Sequence, residues 1–523
     1  MSSSKHIDAI CIAVLAFTLL LTVLFMNGDA LGIKRIVSEE EVNGYFTEND
    51  IKSDPDYTGA TVISLLDGKS SVDGNGAYAV GDEIHIVLSG KYVVSGELSN
   101  GKIIVDTENG GKVWLKLNGV SVNCENGAAL CVEQAEKVFI TLAQDSENAF
   151  SCGSSFLESE TATGIDGAIF SRDDLTVNGT GSLTVKSEYQ HGIVCNDVLV
   201  VSGGKVTVEA VQDAIHANDS VRIREAELDI TAGDDAITAK NDEKTSFIYV
   251  ESGKINISSC YEGIESYKIT VDGGEINISP TDDGLNSAGT DSESGIYVNG
   301  GNISVINPDG RDADGFDSNS SIYINGGSVF ISVSQNGGSC ALDYGSENGG
   351  KCFINGGTVI ACGSSVMAEE ISPESAQGFI MQSLSGSGGT QLVLKNSAGE
   401  KLVEKEIPCP FSLVTVSVPE IKTGDEYALS AGENEITVTA ASSYEISGGM
   451  PGRGNKQNFN KPDGEMPDSG NGEPPQKPDG EMPDFGNGEP PQKPDGGMPD
   501  FGNGEPPEKP DGEMPDFGNG EPP

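Results

Sequence analysis

Asp213-Ala-Ile-His-Ala217 returns as Asp235-Ala-Ile-Thr-Ala239, Glu262-Gly-Ile-Glu-Ser266, Asp283-Gly-Leu-Asn-Ser287 and Asp314-Gly-Phe-Asp-Ser318. Weaker copies flank the series: Gly167-Ala-Ile-Phe-Ser171 and His191-Gly-Ile-Val-Cys195 before it, Cys340-Ala-Leu-Asp-Tyr344 after it. Successive copies lie 21 to 31 residues apart. Between them apolar and polar residues alternate around a Gly-Gly pair, as in Ile269-x-Val271-x-Gly273-Gly274-x-Ile276-x-Ile278 and Ile322-x-Ile324-x-Gly326-Gly327-x-Val329-x-Ile331. Self-similarity at this period marks a stacked-repeat fold. Alternation with period two makes the segments strands rather than helices. One strand at the Asp-Ala-Ile copy and one on each side of the Gly-Gly pair give three per repeat, with corners where Gly tolerates positive φ. The pattern predicts an all-β chain built as a parallel β-helix, a solenoid in which each coil pairs with the next. A β-propeller would need about 40 residues per repeat and antiparallel hairpins, so the spacing excludes it.

Outward from the core coils, the chain divides by composition. Residues 7–26 are apolar apart from Asp8, Thr18 and Thr22 and follow Lys5. About 20 such residues span a bilayer, so residues 1–30 read as an export signal or an N-terminal membrane anchor. No clear small-residue cleavage site follows, which favours the anchor. The rest of the chain is then expected outside the membrane, extracellular or at the cell surface. Residues 31–80 read as a linker with first strands, and 81–374 as the parallel β-helix. The segment 143–165 reads as an irregular loop, and inserts at 241–246 and 288–294 lengthen two coils. Residues 375–447 lack Gly-Gly corners and are predicted to form a small C-terminal β unit capping the coils. From Lys461 a Pro-, Gly- and acid-rich unit recurs every 16 residues; with little apolar surface to bury, 448–523 is expected to be a disordered tail.

The chain has 31 basic and 81 acidic residues, a net charge of −50 over 523 residues. That argues against nucleic acid, whose phosphates call for Lys and Arg, and favours cations, calcium first. Ten cysteines occur without CxxC spacing, so structural zinc is not expected of them. Most read as reduced core residues, with a pairing among Cys340, Cys352 and Cys362 left open.

Stacking brings equal positions into register about 4.8 Å apart. Asp213, Asp235, Glu262, Asp283 and Asp314 then form one column, and His216, Thr238, Glu265, Asn286, Asp317 and Asp343 a second, with Asp234 and Asp282 beside the first. Like charges this close repel. Either their pKa values rise or cations sit between coils, and calcium takes six to eight oxygens from such ligands. Three sites are predicted: Asp213 with Asp234, Asp235 and Thr238; Glu262 with Glu265, Asp282, Asp283 and Asn286; and Asp314, Asp317 and Asp343. The competing reading makes each acid a corner residue capping backbone N–H groups. An outward column of Tyr249, Thr270, Tyr297, Tyr323 and Phe353 is either a platform for sugar rings, a self-stabilising aromatic ladder, or a surface covered by residues 375–447.

The repeated Asp-Ala-Ile-x-Ala followed by Gly-Gly-x-Ile-x-Ile resembles the exported bacterial carbohydrate-binding β-helix domain, itself similar to the family-nine pectate lyases. The resemblance covers about residues 80–447. It implies a right-handed parallel β-helix holding several calcium ions and binding an acidic plant-wall polysaccharide (polygalacturonate) or cellulose. The lyases place an Asp on one coil and Asp-Asp-x-x-Asp on the next around catalytic calcium. Asp213 and Asp234-Asp235 match, while Thr238 replaces the last Asp and puts lyase activity in doubt. Lys240 and Lys268 lie near the acidic columns, with no geometric warrant as a base. Expected first is a non-catalytic, calcium-binding, monomeric polysaccharide-binding protein. A calcium-dependent pectate-type lyase and a structural stalk or adhesin are the alternatives.

Overall fold

The structure, a computed structural model, describes residues 41–42, 44–107, 110–308, 310 and 313–440. The apolar segment 7–26 and the repeating tail lie outside the described residues. Among the described residues no helix is long and apolar enough to cross a membrane. The described chain is almost all β, with one helical turn at Glu158–Thr161 and a 3-10 turn at Ser346–Asn348. The stretch read as an irregular loop, 143–165, carries that turn but also a ladder strand, Glu147–Cys152.

Three long parallel ladders dominate, and over the repeats each takes every third strand. The first runs through Gly167–Ser171, His191–Cys195, Ile215–Ala217, Ile237–Ala239, Ile264–Ser266, Leu285–Ser287, Phe316–Ser318 and Leu342–Tyr344. The second runs through Val198–Val201, Ser220–Ile223, Phe247–Val250, Lys268–Val271, Gly295–Val298, Ile322–Ile324 and Cys352–Ile354. The third includes Lys205–Ala210, Glu227–Ala232, Lys254–Cys260, Glu275–Pro280, Asn302–Asn307, Ser328–Val333 and Thr358–Gly363.

The register follows the sequence columns. Ile215, Ile237, Ile264, Leu285, Phe316 and Leu342 are successive partners, all buried. Burying each such side chain contributes about 1.5–3 kcal/mol, which fixes the alternation: a slip of one residue would turn the whole apolar set outward. The Gly-Gly corners need two glycines for two reasons. A side chain at Gly273 or Gly326 would run into a backbone carbonyl, of Glu251 or Asn299, on the preceding coil. Gly274 and Gly327 hold φ of +93° and +76°, a region costly for residues with a Cβ.

Antiparallel pairs close both ends. Upstream, Thr61–Leu65 pairs with Ser71–Asp73 and Ala77–Val80 with Glu83–Ile86. Downstream, Phe411–Ser417 pairs antiparallel with Thr358–Gly363 and with Ile380–Gly386, so that edge of the third ladder does not end unpaired. A four-stranded antiparallel sheet follows, ordered Lys401–Ile407, Thr390–Lys395, Glu426–Ala431, Asn434–Thr439. The nine described cysteines are buried and form no disulfide with one another, so no pair forms among Cys340, Cys352 and Cys362.

Residues 45–57, read from sequence as linker, lie over the outer face of the second ladder. Tyr57 donates to Thr141 Oγ1 at 3.0 Å, Thr176 donates to Asp50 Oδ1 at 2.6 Å, and Arg222 donates to the Tyr45 carbonyl at 2.7 Å. Lys137 pairs with Asp50 at 2.8 Å. Burial works against the Asp50 carboxylate, yet Lys137 and its hydrogen bonds hold its pKa below the usual value.

Candidate metal columns and aromatic stripe

Both acidic columns stand in register. His216, Thr238, Glu265, Asn286, Asp317 and Asp343 are successive partners in the first ladder. The first column lies just before those strands, where Ala236 N–H donates to the Glu262 carbonyl, Gly263 N–H to Asp283 and Gly284 N–H to Asp314. Four carboxylate groups close to within 4.8 Å: Asp213, Asp234 and Asp235; Asp235, Glu262 and Glu265; Glu262, Asp282 and Asp283; and Asp314, Asp317 and Asp343. All eleven predicted metal-ligand residues therefore lie on these columns or beside them, with Asn286 bound to Glu262.

The capping arrangement weighed against metal binding is present too, on one oxygen each of Asp213, Asp235, Asp283 and Asp314. Asp235 N–H donates to Asp213 Oδ1 at 3.2 Å, Glu262 N–H to Asp235 Oδ1 at 3.2 Å, and Asp314 N–H to Asp283 Oδ1 at 2.6 Å. Cys340 N–H donates to Asp314 Oδ1. Each cap fixes its carboxylate at the corner without neutralising it.

The electrostatics differ along the column. Burial, then the charges of Glu262, Glu265 and Asp213, push Asp235 well above the usual carboxylate range. Burial lifts Glu262 to about 7, with Glu265 and Asp282 adding to it against the Asn286 hydrogen bond and Lys240. Burial and the charges of Asp314, Asp317 and Asp282 lift Asp283 to about 9, although the Asp314 N–H bond opposes them. Asp213 goes the other way. Burial would raise it, but hydrogen bonds and charge from His191 and His216 outweigh burial and hold it below the usual range.

Asn286 donates from Nδ2 to both Glu262 oxygens at 3.0 Å, while its own Oδ1 is buried without a hydrogen-bond partner. An unsatisfied buried acceptor beside three carboxylates suits a cation. Lys240 Nζ lies 2.8 Å from Glu265 Oε1, and that hydrogen bond raises the pKa of Lys240. Lys268 Nζ sits 4.9 Å from the Tyr297 ring centroid.

The outward column divides in two. Tyr249, Thr270, Tyr297, Tyr323 and Phe353 are successive partners in the second ladder. Tyr249 is only 3% exposed: Tyr45 stacks on it at 3.8 Å and 15°, and its hydroxyl donates to Asp272 at 2.7 Å. The expectation that Tyr249 faces a sugar is therefore corrected, because Tyr45 already occupies its ring face. Downstream, Tyr297, Tyr323 and Phe353 stack at 4.9 and 5.0 Å, nearly parallel at 8° and 6°, and stay half-exposed.

Three features escaped the sequence reading, the first being the convergence of two histidines that it places on separate copies of the motif. His191 Nδ1 and His216 Nδ1 lie 3.2 and 2.9 Å from the same Asp213 oxygen, Oδ2. Glu369 accepts from Tyr344 N–H at 3.2 Å and is pushed to about 7 by burial, aided by Asp343. It follows the last copy of the motif and lies near Asp343, whose charge acts on it. Asp166 borders the two histidines. Two of the four histidines in the chain fall on adjacent copies of the motif, a signal the sequence did carry.

Residues 80–337 match the model of the family described as "Carbohydrate-binding domain-containing protein". A protein of that same description from Acetivibrio thermocellus is 33% identical over 129 residues, 24% of this chain and 45% of the relative. The match thus spans less than half of that relative. A solved structure described as a polysaccharide lyase-like protein from C. thermocellum, gadolinium derivative, is 26% identical, with a TM-score of 0.38 over 47% of this chain and 94% of its own.

Proposed function

We propose that the coiled region is a calcium-loaded, non-catalytic polysaccharide-binding module, built as a right-handed parallel β-helix and carried outside the cell. The observation that supports this most is the run of carboxylates meeting within 4.8 Å from Asp213 to Asp343. Calcium accepts many oxygens in flexible geometry, which suits paired coils better than the strict octahedron of magnesium. The residues that would hold ions are Asp235, Glu262 and Glu265; Glu262, Asp282, Asp283 and Asn286; and Asp314, Asp317 and Asp343. Asp234 adds charge beside Asp235. Bound ions would replace the protons that these acids otherwise hold and would tie neighbouring coils together.

The glycan is an acidic plant-wall polymer such as polygalacturonate, or cellulose. Tyr297, Tyr323 and Phe353 offer it parallel aromatic faces, against which the C–H faces of sugar rings pack. Calcium ions with open positions would hold uronate carboxylates. The apolar segment 7–26 would tether the module, acting as a monomer, to the membrane. Binding is favoured over lyase chemistry because abstraction of a proton needs a deprotonated base. Lys240 is held charged by Glu265, and Thr238 stands where the lyase pattern has Asp.

The test is to mix the full chain with polygalacturonate, with and without calcium, sediment the polymer, and follow ultraviolet absorbance for unsaturated product. Calcium-dependent co-sedimentation without absorbance growth is expected. Absorbance growth would make the protein a lyase. The absence of both signals would leave the coils as a calcium-held stalk.

A further inference from the structure

We propose that His191, Asp213 and His216 form a separate site for a first-row transition cation, zinc in the first instance, at the upstream end of the acidic columns. The donors differ in kind from those downstream. Imidazole nitrogen with carboxylate selects zinc-class ions, whereas oxygen-only groups suit calcium. Here the nearest ligand atoms are two nitrogens and one oxygen.

Geometry carries the case. His191 Nδ1 and His216 Nδ1 converge on Asp213 Oδ2 at 3.2 and 2.9 Å, and the two rings sit 5.2 Å apart, tilted by 41°. In a tetrahedral zinc site with bonds of about 2.0–2.1 Å, neighbouring ligand atoms lie about 3.3 Å apart. Each nitrogen needs to move from Oδ2 by only a few tenths of an ångström, and the three ligand atoms already lie within 4.8 Å of one another.

Hydrogen bonding supplies a second, independent reason. Asp213 N–H lies 3.2 Å from His191 Nδ1, which would there act as an acceptor. The same nitrogen faces Oδ2, to which it would have to donate. One nitrogen cannot do both: where Nδ1 accepts the N–H, it faces the charged Oδ2 with no proton between them, and a cation that takes Nδ1 in place of that N–H would bridge the two.

Charge and access agree. Asp166 acts electrostatically on both imidazoles, and its Oδ1 is buried with no hydrogen-bond partner. Two carboxylates and two neutral imidazoles balance a dication. The His216 side chain is 25% exposed against 9% for Asp213, which gives an ion a way in. Asp213 is also committed locally, since its Oδ1 accepts from Asp235 N–H. Its other oxygen, Oδ2, is the one that both imidazoles face.

The test uses the full chain saturated with calcium, so that the oxygen-only groups are filled, then dialysed against micromolar zinc and analysed for metal. One zinc per chain is expected in the native protein. His191→Gln and His216→Gln should each weaken zinc binding at least about tenfold, with calcium content unchanged and His85→Gln without effect. Zinc retention equal in native and variant chains would overturn the proposal, as would no zinc in the native chain. Should the variants misfold, nitrogen NMR of histidine-labelled native protein decides: zinc must shift the Nδ1 resonances of two histidines with calcium present, and unmoved resonances refute the site.

Discussion

At Asp213 and at Asp283 the same corner of the repeat carries the same side chain, and the two are charged by opposite logic. Each is buried, and each gives one oxygen to a backbone N–H of the next coil. Asp213 is met by two imidazoles and stays ionised. Asp283 is met by Asp282, Asp314 and Asp317 and holds its proton to about pH 9. Backbone geometry builds the corner; the neighbouring residues set its charge. On the proposed function, the downstream corners would take a cation to supply positive charge, and the upstream corner one to organise nitrogen donors.

The largest expected effect is that of calcium removal. Each site is worth about 2.7 kcal/mol when the ion stands at a hundredfold its Kd. Chelation should therefore lower Tm sharply, as read by circular dichroism, and most at alkaline pH. A raised folded pKa gives stability that is present at low pH and lost as pH rises through that value. For Asp283 the window runs from 3.8 to about 9, and for Glu262 from 4.5 to about 7. The ion-free protein should melt at a lower temperature at pH 8.5 than at pH 5, and calcium should flatten that fall. A Tm indifferent to both chelation and pH would remove the contrast between the two corners.

Asn substitutions should separate the corners by sign. At pH 8.5 in chelator, Asp283→Asn removes an acid that must take up a proton on folding and is expected to raise Tm. Asp213→Asn removes the partner of two imidazoles and should cost about 1.5–3 kcal/mol in a denaturant melt. Equal effects at both corners would break the comparison. The aromatic stripe should respond most weakly. Tyr297→Ala with Tyr323→Ala is expected to reduce polysaccharide sedimentation several-fold with calcium content unchanged; equal retention would remove the stripe from the binding surface.

Much of this was legible in the sequence because the repeat is translational. Spacing alone put His216, Thr238, Glu265, Asn286, Asp317 and Asp343 in one line, and the strand register has the same order. Contacts that leave the period were not legible. Tyr45 reaches Tyr249 from a segment without repeats, so nothing in the spacing predicted that one ring of the stripe is covered. His191 and His216 occupy different columns and meet across a coil at Asp213, whereas columns were read one at a time. Glu369 follows the last copy of the motif, where no register remained to extend.

The most direct test of the central claim is a calcium count on the full chain by equilibrium dialysis, native against Asp283→Ala, with the melting temperature measured on the same samples. Several ions per chain are expected in the native protein, with at least one fewer and a lower Tm in the variant. An unchanged count, or no bound calcium in the native chain, would contradict the account.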